Sequence, residues 1–81
     1  MSTVTVQLFA SYADSFGESF LKIRCEPGST VGDLIRNIRA LPGADVLPAS
    51  PRVAVNRKFA STEDRIDASD EVALIPPVAG G

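Results

Sequence analysis

The sequence ends Val72-Ala73-Leu74-Ile75-Pro76-Pro77-Val78-Ala79-Gly80-Gly81. The group there able to do chemistry is the carboxylate of Gly81. A carboxylate is a poor electrophile until one of its oxygens becomes a leaving group, so its activation needs a second protein to supply a nucleotide and to stabilise the developing charge. Gly80 and Gly81 carry no Cβ, so the tip is thin enough to thread a narrow channel and is free to take φ values closed to other residues. The six residues from Pro76 to Gly81 reach at most about 20 Å when extended. That reach takes the tip into a partner's active site while the body stays outside. Pro76 and Pro77 stiffen the base and limit the ordering cost of docking. The expected reacting residue is therefore Gly81, with Gly80 giving the tip its thinness. Ile75, Pro76, Pro77, Val78 and Ala79 form an apolar run expected to bind the partner, because clustered exposed apolar residues tend to mark interfaces.

Competing chemistries are absent from the composition. The chain has no His, which removes Ser-His-Asp and Cys-His relays and histidine metal sites. It has one Cys, which forms no internal disulfide and fits a reducing compartment. Cys25 continues the alternation of Leu21 and Ile23 and reads as a core residue. No Gly-rich phosphate loop is present, and no metal or cofactor is expected on this chain. The 81 residues make one domain, with 44% hydrophobic and 22% charged residues, an ordinary globular balance. A domain of this size buries only roughly 60% of its unfolded surface and has little chain for a deep cleft. A carrier, a binding module or a subunit is favoured over a free-standing enzyme. The net charge of −2 and the lack of a basic stripe argue against nucleic acid. The N-terminus lacks the features of a signal peptide, and no stretch approaches the roughly 18 apolar residues of a membrane span. The expected setting is the cytoplasm.

The elements that must hold the tail are legible in outline. Val4, Val6 and Leu8 alternate with Thr3, Thr5 and Gln7, the period of an amphipathic strand. Ser11 to Phe16 reads as a helical turn ended by Gly17. Leu21, Ile23 and Cys25 alternate with Phe20, Lys22 and Arg24, giving a second strand expected to pair with the first as a hairpin. Pro27-Gly28 turns the chain. Thr30 is an N-cap with Asp33 in the capping-box position, and Asp33 also suits the positive end of the helix dipole. Val31, Leu34, Ile35, Ile38 and Leu41 form one buried helical stripe. Pro42-Gly43 stops this helix. Residues 42 to 51 read as a loop, Arg52 to Val55 as a strand, and Asn56-Arg57-Lys58 as a polar turn. Phe59 to Ile66 reads as irregular, and Asp67-Ala68-Ser69-Asp70 as a turn without glycine. Glu71 to Ile75 is the last strand, which Pro76 and Pro77 end. Glu63, Asp64, Asp67, Asp70 and Glu71 make a loose acidic cluster suited to a solvated turn, and Arg52, Arg57 and Lys58 are exposed cations.

This order, together with Leu8-Phe9-Ala10, Val53-Ala54-Val55-Asn56 and the segment from Asp70 to Gly81, resembles the small subunits of molybdopterin synthase. These are ubiquitin-like β-grasp sulfur carriers. The resemblance covers essentially the whole chain and is most specific in its last twelve residues. It implies an α+β fold, a mixed sheet with one main helix packed across one face. A β-grasp domain over residues 1–75 would carry an extended tail over residues 76–81.

The resemblance also implies partners and a cycle. A ubiquitin-activating-like adenylyltransferase uses Mg-ATP to convert the terminal carboxylate to an acyl-adenylate. A sulfur donor system replaces AMP with sulfur, giving a thiocarboxylate. The tail then enters the large synthase subunit, in a heterotetramer, and donates sulfur to cyclic pyranopterin monophosphate. The chain would act only with that subunit and bind no cofactor itself. Alternatives that share the fold and the Gly-Gly end are a sulfur carrier for thiamin or cysteine biosynthesis and a ubiquitin-like modifier of lysines. A plain interaction domain is a further one.

Overall fold

The computed structural model of the chain describes residues 2–77. Its elements are strand β1 (Ser2–Leu8), helix α1 (Ala10–Phe16), strand β2 (Phe20–Cys25), helix α2 (Val31–Arg39), a 3-10 turn (Ala44–Val46), and strands β3 (Arg52–Val55), β4 (Lys58–Phe59) and β5 (Val72–Ile75). The five strands form one sheet in the order β2-β1-β5-β3-β4. β1 pairs antiparallel with β2, as the hairpin expectation required, and parallel with β5. β3 pairs antiparallel with both β5 and β4. The sheet is therefore mixed, and α2 lies across one face of it.

Period-two patterning sets that face. Val6 lies opposite Leu21 on one side and Val72 on the other, and Val53 lies opposite Leu74. All five are buried, together with Val31, Leu34, Ile35 and Ile38 of α2. The capping box closes α2 as the sequence requires: Thr30 Oγ1 accepts from the Asp33 N–H, and the Asp33 carboxylate accepts from the Thr30 N–H. The Thr30 N–H bond, first, and the Thr30 side chain hold the Asp33 carboxyl below its ordinary range. The helix ends at Arg39, so Leu41 falls just beyond it and packs half-buried against the core. Gly43 supplies the turn, with φ of 94°, and a Cβ there would lie 2.6 Å from the Ser15 carbonyl oxygen. This close approach brings the 3-10 turn against α1.

Two expectations need correcting. Lys58 and Phe59 form an edge strand and are not turn or irregular chain. Val55 pairs with Lys58 across the two-residue loop Asn56-Arg57, in which both residues have positive φ, 53° and 71°. That is the mirror-image hairpin turn whose twist matches the strands. The chain tightens there although Arg57 lacks the freedom of the glycine such turns favour.

The turn from Asp67 to Asp70 needs no glycine either. Ser69 is not in the left-handed region. The Asp67 carboxylate instead accepts from the Ser69 N–H and hydroxyl, which depress its pKa, the hydroxyl most.

Candidate functional site

The last strand occupies the centre of the sheet. β5 is hydrogen-bonded on both edges, to β1 and to β3, and Leu74 is fully buried. A strand clamped on two sides does not fray ahead of the fold itself, because its release requires breaking two ladders and emptying the core. The chain that follows Ile75 thus departs from a fixed point. Ile75, paired with Arg52, and Pro76 are half-buried, whereas Pro77 is exposed. Val78, Ala79, Gly80 and Gly81, the other residues expected in the site, lie outside the described residues.

Beside that departure point lies the sheet face that α2 leaves uncovered. Register places Phe20, Gln7, Ala73, Ala54 and Phe59 in one row across all five strands. Four inter-strand gaps make this row about 19 Å long. Its two ends are aromatic and exposed, Phe20 by 53% and Phe59 by 67%. Its middle is floored by the small side chains of Ala54 and Ala73. Phe9, 40% exposed, stands beside Ile75. The part of the row from Gln7 to Phe59, with Phe9 and Ile75, lines a largely apolar trough of 390 Å³ whose polar members are Gln7, Arg57 and Glu71. Contiguous exposed aromatic and aliphatic surface of this kind marks an interaction site more than a solvated face. Ile75 belongs both to the trough and to the tail base, so the two are continuous.

Local wiring fixes the far end of the trough. The Asn56 side chain accepts from the Glu71 N–H at 2.9 Å and donates to Asp70 at 3.0 Å, and its own N–H donates to the Glu71 carbonyl at 2.7 Å. These bonds tie the β3–β4 turn to the start of β5. Arg57 approaches Glu71 at 3.8 Å, with both side chains exposed. Arg52 sits 5.4 Å above the Phe59 ring, a cation–π placement that keeps the ring upright at the rim. The acidic cluster therefore divides. Asp67 and Asp70 build turns, Asp64 accepts from the Ser61 N–H, and Glu71 borders the trough.

A smaller cavity of 100 Å³ lies on the other side of the tail base, lined by Tyr12, Pro48, Ser50, Arg52, Ile75 and Pro77. Arg39, at the end of α2, donates to the carbonyls of Pro48 and Ala49 and so fastens the loop that forms one wall. Tyr12 is 2% exposed, and its hydroxyl has no hydrogen-bond partner among the described residues. Burial pushes its pKa above the ordinary phenol value.

Cys25 is buried and its thiol pKa is raised, chiefly by that burial. It has neither the exposure nor the thiolate character of a relay residue. Among the described residues no group of three or more His, Cys, Asp or Glu could hold a metal. No helix among them is long and apolar enough to cross a membrane.

Sequence patterning pointed to Ile75, Pro76 and Pro77 and missed the trough. Phe20 and Phe59 fall at outward positions of their strands and Phe9 just past the end of β1, but only the cross-strand register shows that Phe20 and Phe59 close one row.

A five-stranded mixed sheet grasping one main helix, with the C-terminal strand at its centre, defines a ubiquitin-like β-grasp protein. The site consists of an open sheet face and the tail base beside it. The chain belongs to the ThiS family, whose pattern matches residues 6–81. It is similar to SAMP1 from Haloferax volcanii, with 27% identity and a TM-score of 0.83 over 99% of this chain and 100% of that one. It is similar, too, to molybdopterin converting factor subunit 1 from Pyrococcus furiosus, with 26% identity and a TM-score of 0.81 over 96% and 100%. The subunit 1 and 2 complex of the Helicobacter pylori molybdopterin-converting factor shares the fold, with 20% identity and a TM-score of 0.71 over 98% and 99%. These relatives set the range of functions, from sulfur carrier to ubiquitin-like modifier.

Proposed function

We propose that the chain is the sulfur-carrying small subunit of a molybdopterin synthase and acts in the cytoplasm, with residues 76–81 as its working tail. One observation carries the reading: the strand leading into Pro76-Pro77-Val78-Ala79-Gly80-Gly81 is the central strand of the sheet, so the tail starts from a rigid base. In the proposed cycle a Gly81 carboxylate oxygen attacks the α-phosphorus of Mg-ATP in an activating enzyme, and pyrophosphate leaves. A sulfide-level sulfur nucleophile from a donor system then attacks the acyl carbon. The carbon–oxygen bond to AMP breaks, and a thiocarboxylate remains. Gly80 and Gly81 let the tip enter the large subunit. There the sulfur is transferred to cyclic pyranopterin monophosphate, and Gly81 returns to a carboxylate as water supplies the oxygen.

Two supports favour this pathway over thiamin or cysteine synthesis: the similarity to a converting-factor subunit 1 and a complex in which a chain of this fold is paired with a subunit 2. The trough beside Ile75 is the surface on which the large subunit would rest. Reconstitution tests the assignment. The thiocarboxylated chain, the large subunit and the cyclic substrate should together yield the dithiolene product. No complex and no dithiolene would assign the carrier to another pathway.

The similarity to small archaeal modifier protein 1 supports a second reading, in which the same acyl-adenylate passes to a lysine amine. A high-mass conjugate ladder that vanishes on deletion of Gly81 would favour it.

A further inference from the structure

The hydroxyl of Tyr12 is buried. Tyr12 contributes its ring to the core, where a phenylalanine ring would fill the same volume, yet its hydroxyl has no hydrogen-bond partner among the described residues. Buried polar groups are almost always hydrogen-bonded, so an orphan one calls for an explanation. Its position supplies a candidate. Tyr12 lines the small cavity at the tail base, and the other polar side chains there are those of Ser50 and Arg52. These three lining residues carry two hydroxyls and a guanidinium, and no acidic residue is among the six that line the cavity. Donors gathered without an anion suit a carboxylate, and charge-assisted bonds from such donors are the strong kind.

We propose that this cavity receives a carboxylate side chain of the protein that accepts the tail, and that Tyr12 and Arg52 hold it. The proposal rests on the reading that a partner receives the tail, and it adds where and by what chemistry that partner grips the tail base. Pro77, one wall of the cavity, is also the first exposed residue of the tail. Because the hydroxyl is closed to solvent in the free chain, entry of the carboxylate requires this wall to shift as the partner takes the tail. In the free chain the Arg52 guanidinium rests over the Phe59 ring, and gripping the carboxylate requires it to leave that ring.

The test uses the full chain and the large synthase subunit. Tyr12→Phe should melt at the same temperature as the wild type or up to about 8 °C higher, because it removes an unpaired buried group. It should nevertheless bind the large subunit about tenfold more weakly, a difference of about 1.4 kcal/mol. Arg52→Gln should weaken binding similarly. The double variant should lose much less than the product of the two, since both residues serve one carboxylate. Unchanged affinity in Tyr12→Phe, a lowered melting temperature, or losses that multiply would each overturn the proposal. If the wild type itself fails to bind, the reading beneath it falls as well, and the two failures are distinct.

Discussion

Arg57 is the residue at which the fold and the candidate site make opposed demands. It occupies the second position of the two-residue β3–β4 turn with φ of 71°. The left-handed region costs an ordinary side chain roughly 1–2 kcal/mol, and Asn56 before it tolerates that region better. Arg57→Gly removes this cost. It also adds freedom to the unfolded chain, worth about 0.4–1 kcal/mol against folding. The ion pair lost with Glu71 spans 3.8 Å between side chains that are 86% and 60% exposed, and such a pair contributes close to nothing. The sum is a stabilisation of about 0.5–1 kcal/mol, or a melting temperature about 3–6 °C higher for a domain of this size. Arg57→Ala is the control, since it loses the guanidinium but keeps a Cβ at positive φ and should gain nothing. Both variants remove a polar wall of the trough, so both should weaken large-subunit binding to a similar extent. Calorimetric melting and titration calorimetry on the three proteins supply the readouts. A melting temperature for Arg57→Gly at or below that of Arg57→Ala would refute the assigned turn strain. Unchanged binding in both would refute the trough as a docking face.

Two further outcomes follow from the packing and the charges. Gly43→Ala should destabilise the domain by about 3 kcal/mol, read as a lower urea midpoint at constant slope, because its Cβ meets the Ser15 carbonyl at 2.6 Å in a backbone region glycine alone occupies easily. Acid should weaken the fold through Asp33 and Asp67, whose pKa values are depressed in the folded chain by the Thr30 and Ser69 hydrogen bonds. The unfolded chain then binds more protons than the folded one below the ordinary Asp value near 3.9. Stability from these groups is complete above that value and is lost as pH falls through their folded values. The double variant Asp33→Asn, Asp67→Asn should flatten the acid limb of melting temperature against pH, and an unaltered limb would contradict the assignment.

Much of this molecule is legible in the chain because local rules and the global fold agree. The alternation of Val4, Val6 and Leu8, and of Leu21, Ile23 and Cys25, fixes two strands and their buried face. The Thr30–Asp33 box fixes the start of α2. The end of that helix was less visible, since Leu41 keeps the stripe's period while lying past the last helical turn. β4 could not be read, because two polar-flanked residues carry no periodicity and Arg57 is a poor residue for the turn that creates the strand. The tail was the most visible part of the site, being a run of residue types with few other uses. The trough depends on register between strands far apart in sequence: Gln7, Ala73, Ala54 and Phe59 share no local pattern. The Tyr12 hydroxyl was hidden for a related reason. Whether a buried oxygen finds a partner is decided by neighbours such as Pro48, Ser50 and Pro77, which only the folded chain assembles.

In the proposed cycle Gly81 is the residue that carries sulfur. The measurement that bears on it most directly is the intact mass of the full chain after incubation with its activating enzyme, Mg-ATP and a sulfur donor. The expected result is a gain equal to one oxygen-to-sulfur exchange, located on Gly81 by fragmentation and absent when Gly81 is deleted. An unchanged mass under conditions in which the activating enzyme forms the acyl-adenylate would contradict it.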